Sequence, residues 1–312
     1  MVTTNFLSGY IEPEKQIAVD TTHVEADSIP LPKDSTGKPT CDNVGVLRKS
    51  KTVTYIAHKF SIPTLPRQNV PVAAYAFKGN DADNVTLEPT LVKLFCDYPF
   101  LATALPSLDL LADGIYQTTD NQSLIKELLG PHSRLVCPVH PRNRKDQKVE
   151  GINGIVLIDS YGVPHCISNH KLGLLGRDIK HEEYVWGCPV FNSKCQVAGA
   201  ICDEANHLSC CNGNASGRYY RVKREDTPQI NWSFPQHSKT HKTIYNMRTS
   251  TERANSFLKE GMGIRRLRKR NRVNAQAHGD RCITSFHIMI MMAHLMERPD
   301  LMRSWSKILK IA

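Results

Sequence analysis

Strand-like and helix-like runs alternate along this chain as far as Pro138, and from about Asn143 to His237 the alternation gives way to a different pattern. The run KQIAVDT, from Lys15 to Thr21, reads as a short buried strand that ends at Asp20. KTVTYIAHKF and QNVPVAAYAF are rich in branched and aromatic residues and are closed by Pro or Gly-Asn, the marks of strands. Leu87, Leu91 and Leu94 recur at helical spacing through EPTLVKLFCDY, with Asp83 or Asn84 placed to cap the helix. Leu108 to Ala112 predicts a further strand, broken by Asp113-Gly114. Ser123 to Leu129 then predicts a short helix stopped by Gly130-Pro131, and Ser133 to Pro138 another strand. That order belongs to an α/β fold in which helices flank a sheet.

Short alternating runs between 143 and 237 (GIVLID, YVWGCPVF, QVAGAICD, GRYYRVKR), broken by Gly, Asn and Pro, predict an all-β insertion. Helical spacing returns at Ile244 and runs through Lys259. A basic linker follows, and then an apolar helix near Cys282 to Glu297. The chain so divides into 1–142, 143–237 and 238–312. SIPLPKDSTGKPTCDN, between the first two strands, reads as a long functional loop.

With 312 residues, 40% of them hydrophobic and 22% charged, the chain can bury a core, which excludes a disordered or fibrous protein. Its longest apolar run, Phe286 to Met296, is interrupted by His287 and His294 and is too short to span a bilayer. The opening MVTTNFLSGYIEPEK has no signal-like apolar stretch. The expectation is a soluble, cytoplasmic chain without a membrane partner.

The formal charge is +10, and its distribution is uneven. Between His237 and Arg281 stand twelve Lys and Arg against three Asp and Glu, so nearly the whole excess lies in that stretch. Its densest part, IRRLRKRNR, holds Arg265, Arg266, Arg268, Lys269 and Arg270. A block this concentrated suits a polyanion such as a nucleic-acid backbone or an anionic membrane; a solvated charged face is the plainer alternative.

Just ahead of that block, Tyr245, Arg248, Glu252 and Lys259 are spaced by three, four and seven residues. At about 100° per residue on a helix they share an arc of about 60°, presenting an aromatic, two cations and a carboxylate as one stripe. A surface helix with ion pairs at spacings of four and seven would show the same pattern. Two more carboxylates, Asp20 in QIAVD and Asp113 in LDLLAD, close apolar strands, where open α/β sheets place their sites. Each alone is an ordinary turn residue; the combination with Glu252 is what draws notice.

In these residues the chain resembles the DDE transposases of bacterial insertion sequences, in the group marked by a Tyr-x2-Arg-x3-Glu-x6-Lys signature. Tyr245, Arg248, Glu252 and Lys259 match that spacing without a gap, Asp20 in IAVDTTHVEA resembles the family's first Asp, and Asp113 in LLADGIYQ its second. HKFSIPTLPRQNVPVAAYAFKGNDADNVTLEPTLVKL and CPVHPRNRK also resemble the stretches that accompany them, and the likeness weakens across about 150–237. It implies a ribonuclease-H-like mixed sheet flanked by helices. Segments 1–142 and 238–312 would then form the catalytic core, with a β-rich insertion before the Glu-bearing helix.

The implied activity is cutting DNA at the ends of a mobile element and joining the 3′ ends to target DNA, in the cytoplasm of a bacterium at its nucleoid. Asp20, Asp113 and Glu252 would hold two Mg²⁺ or Mn²⁺, because hard cations prefer carboxylate oxygens and clustered carboxylates repel without them. Tyr245, Arg248, Lys259 and the basic cluster would contact double-stranded DNA, and a homodimer on DNA is one assembly the resemblance allows. The chain departs from the family in having 19 residues before Asp20, where members carry a helical region that recognises element ends. A metal-dependent nuclease of the same fold and a remnant that only binds DNA are therefore the competing readings.

Of ten cysteines, five lie between Cys188 and Cys211. Cys188, Cys195, Cys202 and Cys210, with His207 nearby, are numerous enough to bind Zn²⁺. Their gaps of six and seven residues are wider than the knuckles of structural zinc sites, so plain reduced thiols are the expectation. His165, Cys166 and His170 form a similar near miss.

Overall fold

The computed structural model describes residues 1–27, 41, 44–48, 54–103, 107–140, 145–149, 155–192, 199, 201–215, 217–223, 235–265, 267, 270–302, 304 and 307. The loop expected at 28–43 lies almost wholly outside these residues, as do Cys195, Arg266, Arg268 and Lys269. The chain forms two compact units, one of Met1–Cys137 with Ile244–Ala312 and one of Pro138–Thr243.

In the first unit, helix α1 (Val2–Leu7) leads to strand β1 (Gln16–Glu25), followed by β2 (Gly45–Arg48), β3 (Thr54–Leu65), β4 (Val70–Pro71) and β5 (Tyr75–Lys78). Helices α2 (Asp83–Asp97) and α3 (Phe100–Thr103), strand β6 (Asp109–Leu111), helix α4 (Thr119–Leu129) and strand β7 (Arg134–Val136) complete its N-terminal part. The sheet is mixed, in the order β2-β3-β1-β6-β7, with β4 and β5 also paired to β3. β1 runs antiparallel to β3 and parallel to β6, and β6 runs parallel to β7.

Ile17, Ala18 and Val19 are all fully buried, so the start of β1 is covered on both faces and reads as a continuous apolar run. β1 does not end at Asp20. It continues to Glu25, because Thr21, Thr22, His23 and Val24 keep pairing with β3, opposite Ser61, Phe60, Lys59 and His58. At the far end of the parallel ladder, Gln16, Asp109 and Arg134 stand in register across three strands. Buried Asp109 is held there by a two-pronged pair with Arg134 (2.7 and 2.8 Å), which satisfies a charge that water cannot reach.

α2 begins at Asp83 and has no side-chain cap because Ala82 holds the N-cap position; neither Asp83 nor Asn84 caps it, and Asp83 Oδ1 instead accepts from Thr21 Oγ1 (2.7 Å) and from the buried Lys59 ammonium (2.5 Å). α4 starts earlier than its apolar spacing indicated, because Thr118 accepts from the Asn121 N–H as an N-cap.

The second unit contains β8 (Gln147–Lys148), β9 (Ile155–Ile158), β10 (Pro164–Cys166), β11 (Gly173–Asp178), β12 (Glu183–Gly187), helix α5 (Glu204–Cys211) and β13 (Tyr219–Lys223). The strands form two three-stranded antiparallel sheets, β10-β9-β8 and β11-β12-β13, over a core that includes Ile155, Leu172, Tyr184, Trp186, Tyr220 and Val222. The unit is mainly β but not all-β: α5 is capped by Asp203, which accepts from the Asn206 N–H (2.7 Å).

Helix α6 (Lys239–Tyr245) closes the second unit and leads back to the first, where α7 (Thr249–Glu260) packs on β1 and β3, and α8 (Arg272–Leu295) packs on β3 and β5. α8 starts ten residues before the expected apolar segment, with Asn271 as its N-cap. Gly279 in α8 lies against Phe60; a Cβ there would stand 2.6 Å from the Phe60 ring. Among the described residues, no helix is long and apolar enough to cross a membrane.

Candidate active site

Ala18 and Leu111 are the last paired residues of the parallel β1–β6 ladder, and Asp20 and Asp113 each follow two residues later. Asp113 keeps an extended backbone (φ −73°, ψ 165°), so the two-residue pleat carries both carboxylates to the same face. Adjacent strands are about 4.8 Å apart, which makes the two side chains neighbours. Cross-strand partners share a face, so Thr22 and Phe60 lie on the Asp20 side, where α8 covers Phe60. Thr21, His23 and Lys59 lie on the opposite side with Asp83.

Burial pushes the Asp20 carboxyl up to about 6, and the charges of Asp113 and Asp83 push the same way. Arg248 and the Thr21 N–H, which donates to Asp20 Oδ1 (2.9 Å), pull it back in part. Asp113 is more exposed, and its Oδ1 accepts from the Gly114 N–H (2.7 Å), opening a single 3₁₀ turn.

Tyr245, Arg248, Glu252 and Lys259 do not ride one continuous α-helix as the spacing predicted. Tyr245 ends α6, a 3₁₀ turn spans Asn246–Arg248, and only then does α7 begin. The tighter turn still brings the side chains together. The Arg248 guanidinium lies 5.7 Å from the centre of the Tyr245 ring and donates to Glu252 Oε1 at 3.0 Å. Burial pushes the Tyr245 hydroxyl up, while Arg248, between Tyr245, Asp20 and Asp113, is held more firmly in its charged form despite its burial. Lys259, about two turns past Glu252 on α7, is pushed down by burial and by Arg265, and Asp20 opposes the shift.

The structure therefore gathers Asp20, Asp113, Tyr245, Arg248 and Lys259 into one electrostatic group, and Glu252 joins it through Arg248. The Glu252 side chain is 57% exposed and Arg248 only 17%. Among the described residues, no three His, Cys, Asp or Glu side chains already stand in metal-holding geometry. Of the basic cluster, Arg265 is exposed and loosely paired with Glu260 (3.2 Å), and Arg270 is exposed. Ile264 and Leu267 are buried, and Arg265 and Leu267 bond through their backbones to Glu25 at the end of β1.

Three neighbours escaped the sequence reading. Asp83 and Lys59 form a pair beneath Asp20 on the other side of the sheet, and His23 donates to the Gly79 carbonyl (3.2 Å) and is pushed down by burial, Lys59 and Lys259. Asp83 was visible only as a cap, and nothing local marks Lys59, whose partner is 24 residues away.

The arrangement defines a mixed α/β unit with a carboxylate pair at the end of its parallel strands, faced by a segment that carries Arg248 and Lys259. No family model matches the chain, and no curated protein matches it. The cryo-electron-microscopy structure of a piggyBac transposase synaptic complex with hairpin DNA is similar over 96% of this chain and 54% of that one, at 11% identity and a TM-score of 0.43. The chain thus spans about half the length of that neighbour.

Proposed function

We propose that the chain is a DNA transposase that cuts phosphodiester bonds at mobile-element ends and joins the 3′ ends to target DNA, on a ribonuclease-H-like core. One observation carries the reading: Asp20 and Asp113 occupy matching positions past the end of one parallel strand pair, facing the Tyr245–Arg248–Glu252–Lys259 segment. The strand order β5-β3-β1-β6-β7, antiparallel on one side of β1 and parallel on the other, supports the fold assignment.

The donor set fits Mg²⁺ or Mn²⁺. Asp20 and Asp113 supply hard carboxylate oxygens, and a carboxyl pushed to about 6 by burial and like charge is one whose ionised form a cation would stabilise. Asp20, Asp113 and Glu252 would hold the ions, which stabilise charge on the entering and leaving oxygens of a phosphodiester. Arg248 is held charged and can grip a phosphate, and Lys259 can neutralise a second. The Arg248–Glu252 pair is partly exposed and is worth at most about 1 kcal/mol, so a phosphate can take Arg248 and release Glu252 at little cost. Tyr245 supports the Arg248 guanidinium through its ring. Arg265 and Arg270, with the rest of the basic cluster, would neutralise backbone charge without reading sequence.

Strand joining separates this reading from a simple nuclease. A labelled duplex with a free 3′-OH, taken from DNA flanking the gene, should become covalently linked to a plasmid target in Mg²⁺. Cleavage without linkage would leave a metal-dependent nuclease. One observation favours a second reading, a chain that binds DNA without cutting it: Glu252 points to Arg248 and not to a closed carboxylate group.

A further inference from the structure

The first unit holds a half-enclosed cavity of about 330 Å³, and none of the residues gathered around Asp20 and Asp113 lines it. Its deeper part is apolar and aromatic: Ala73, Tyr75 and Ile283 are buried there, with Tyr98 half-buried beside them. Two carboxylates complete the wall, Asp97 from the end of α2 and Asp280 from α8.

Both carboxylates are fixed in place. The Tyr75 hydroxyl donates to Asp97 Oδ2 (2.8 Å). The Gln276 amide donates to Asp280 Oδ1 (2.8 Å) and to the Ala74 carbonyl (2.8 Å), and it accepts from the Ala76 N–H (2.8 Å), so it ties Asp280 to β5. One oxygen of each carboxylate is left over. Among the described residues, Asp97 Oδ1 and Asp280 Oδ2 accept no hydrogen bond, and neither residue has an ion-pair partner.

Asp97 is also poorly placed for the helix that carries it. It is the last residue of α2, at the negative end of the helix dipole, and no basic residue stands in that last turn. Lys93, one turn earlier, does not pair with it; its ammonium lies over the rings of Tyr75 and Phe77, 5.8 Å from each centre. Aromatic faces in this region already hold one ammonium, while the carboxylates beside them hold none.

We infer that the cavity binds an organic ammonium ion of the polyamine class, with Asp97 and Asp280 meeting its charge and Tyr75, Tyr98 and Ile283 covering its methylenes. Its volume lies at the small end of the range for ligand cavities, about 300–1,000 Å³, so it takes a small molecule whole. Two carboxylates set among aromatic rings suit an alkylammonium better than a hard metal ion, which takes about six or more oxygen ligands. A phosphate or another anion would meet two negative charges and no Lys or Arg side chain in the wall. Burial and the nearby carboxylates push the Tyr75 and Tyr98 hydroxyls up, so both phenols stay neutral beside the ligand. Phe100 meets the Tyr98 ring edge-on (6.1 Å) and steadies it in the wall.

The test is calorimetric titration of the full chain, free of DNA, with putrescine at fixed ionic strength, beside butanediol as its uncharged analogue. Putrescine should bind saturably at about one site per chain, and butanediol should not bind. Asp97→Asn with Asp280→Asn should weaken binding by more than about tenfold, and Tyr98→Leu should weaken it with no change in charge. Should the double variant fail to fold, Asp97→Asn and Asp280→Asn should each lose part of the affinity. Asp120→Asn with Glu127→Gln removes the same charge from exposed positions on α4 and should leave the affinity within about twofold of wild type. The inference is overturned by a folded wild-type chain with no saturable binding, or by butanediol binding as tightly as putrescine. Unchanged affinity in the folded double variant, or an equal loss in the α4 variant, overturns it as well.

Discussion

Asp20 and Asp113 stand side by side because Ala18 pairs with Leu111 across the parallel strands β1 and β6, two residues before each. The carboxyl nearer the core bears the cost. With a folded value of about 6 against an ordinary 3.8, Asp20 is protonated in the native state over a range where the unfolded chain has lost its proton.

Stability is therefore greatest, as far as Asp20 decides it, below about pH 4, and is lost as the pH rises through 6. At 1.36 kcal/mol per unit the loss is on the order of 3 kcal/mol at neutral pH. Asp20→Asn should raise the Tm of the metal-free protein at pH 7.5, and the gain should vanish near pH 4. Mg²⁺ should stabilise the wild-type chain more than the variant. A gain that is flat with pH would show that burial does not hold this carboxyl up.

His287 has the opposite sign. Its Nε2–H donates to the Pro71 carbonyl (2.9 Å) and its Nδ1 accepts from Asn5 (3.1 Å), and burial pushes it down to about 4. The native state refuses a proton that the unfolded chain accepts, so stability is present above pH 6.5 and is lost as the pH falls through 4. His287→Gln should flatten the decline in Tm between pH 6.5 and 4. An unchanged slope would place the acid sensitivity elsewhere.

Gly279 sets two effects against each other. Alanine gains about 1 kcal/mol in helix propensity, but its methyl would meet the fully buried Phe60 ring at 2.6 Å, and overpacking costs about 1–3 kcal/mol. Gly279→Ala should lower the Tm. A rise would mean that α8 and β3 can separate without penalty.

Arg265 and Arg270 are exposed, and the Arg265–Glu260 pair contributes little to folding. Arg265→Gln with Arg270→Gln should leave the Tm unchanged, weaken DNA binding for all sequences, and reduce the slope of log affinity against log salt by about two units. An unchanged slope would show that neither residue contacts phosphate.

Most strands of the first unit were legible because branched and aromatic residues mark them locally, although β2 carried no such mark and the run QNVPVAAYAF divides into β4 and β5; Asp20 and Asp113 draw notice because each follows an apolar run. What sequence did not disclose depends on pairing at a distance. β1 passes Asp20 because polar Thr21 and His23 find partners on β3. The 3₁₀ turn at Asn246–Arg248 carries no Pro or Gly to announce it. Helix α5 has a cap signal in Asp203 and Asn206 but buries no residue fully, so it shows no apolar period.

The most direct test of the carboxylate site measures divalent-metal-dependent DNA nicking beside DNA affinity, for the wild-type chain and for Glu252→Gln. The substrate is a supercoiled plasmid that carries the DNA flanking the gene. If Glu252 holds metal together with Asp20 and Asp113, Mg²⁺ or Mn²⁺ should support nicking by the wild-type chain. Glu252→Gln should then reduce nicking by more than about 100-fold while affinity changes by less than about twofold, since a carboxylate adds no attraction to phosphate. Nicking that persists in a folded Glu252→Gln chain, or a wild-type chain that binds the plasmid and never nicks it in either metal, contradicts the account.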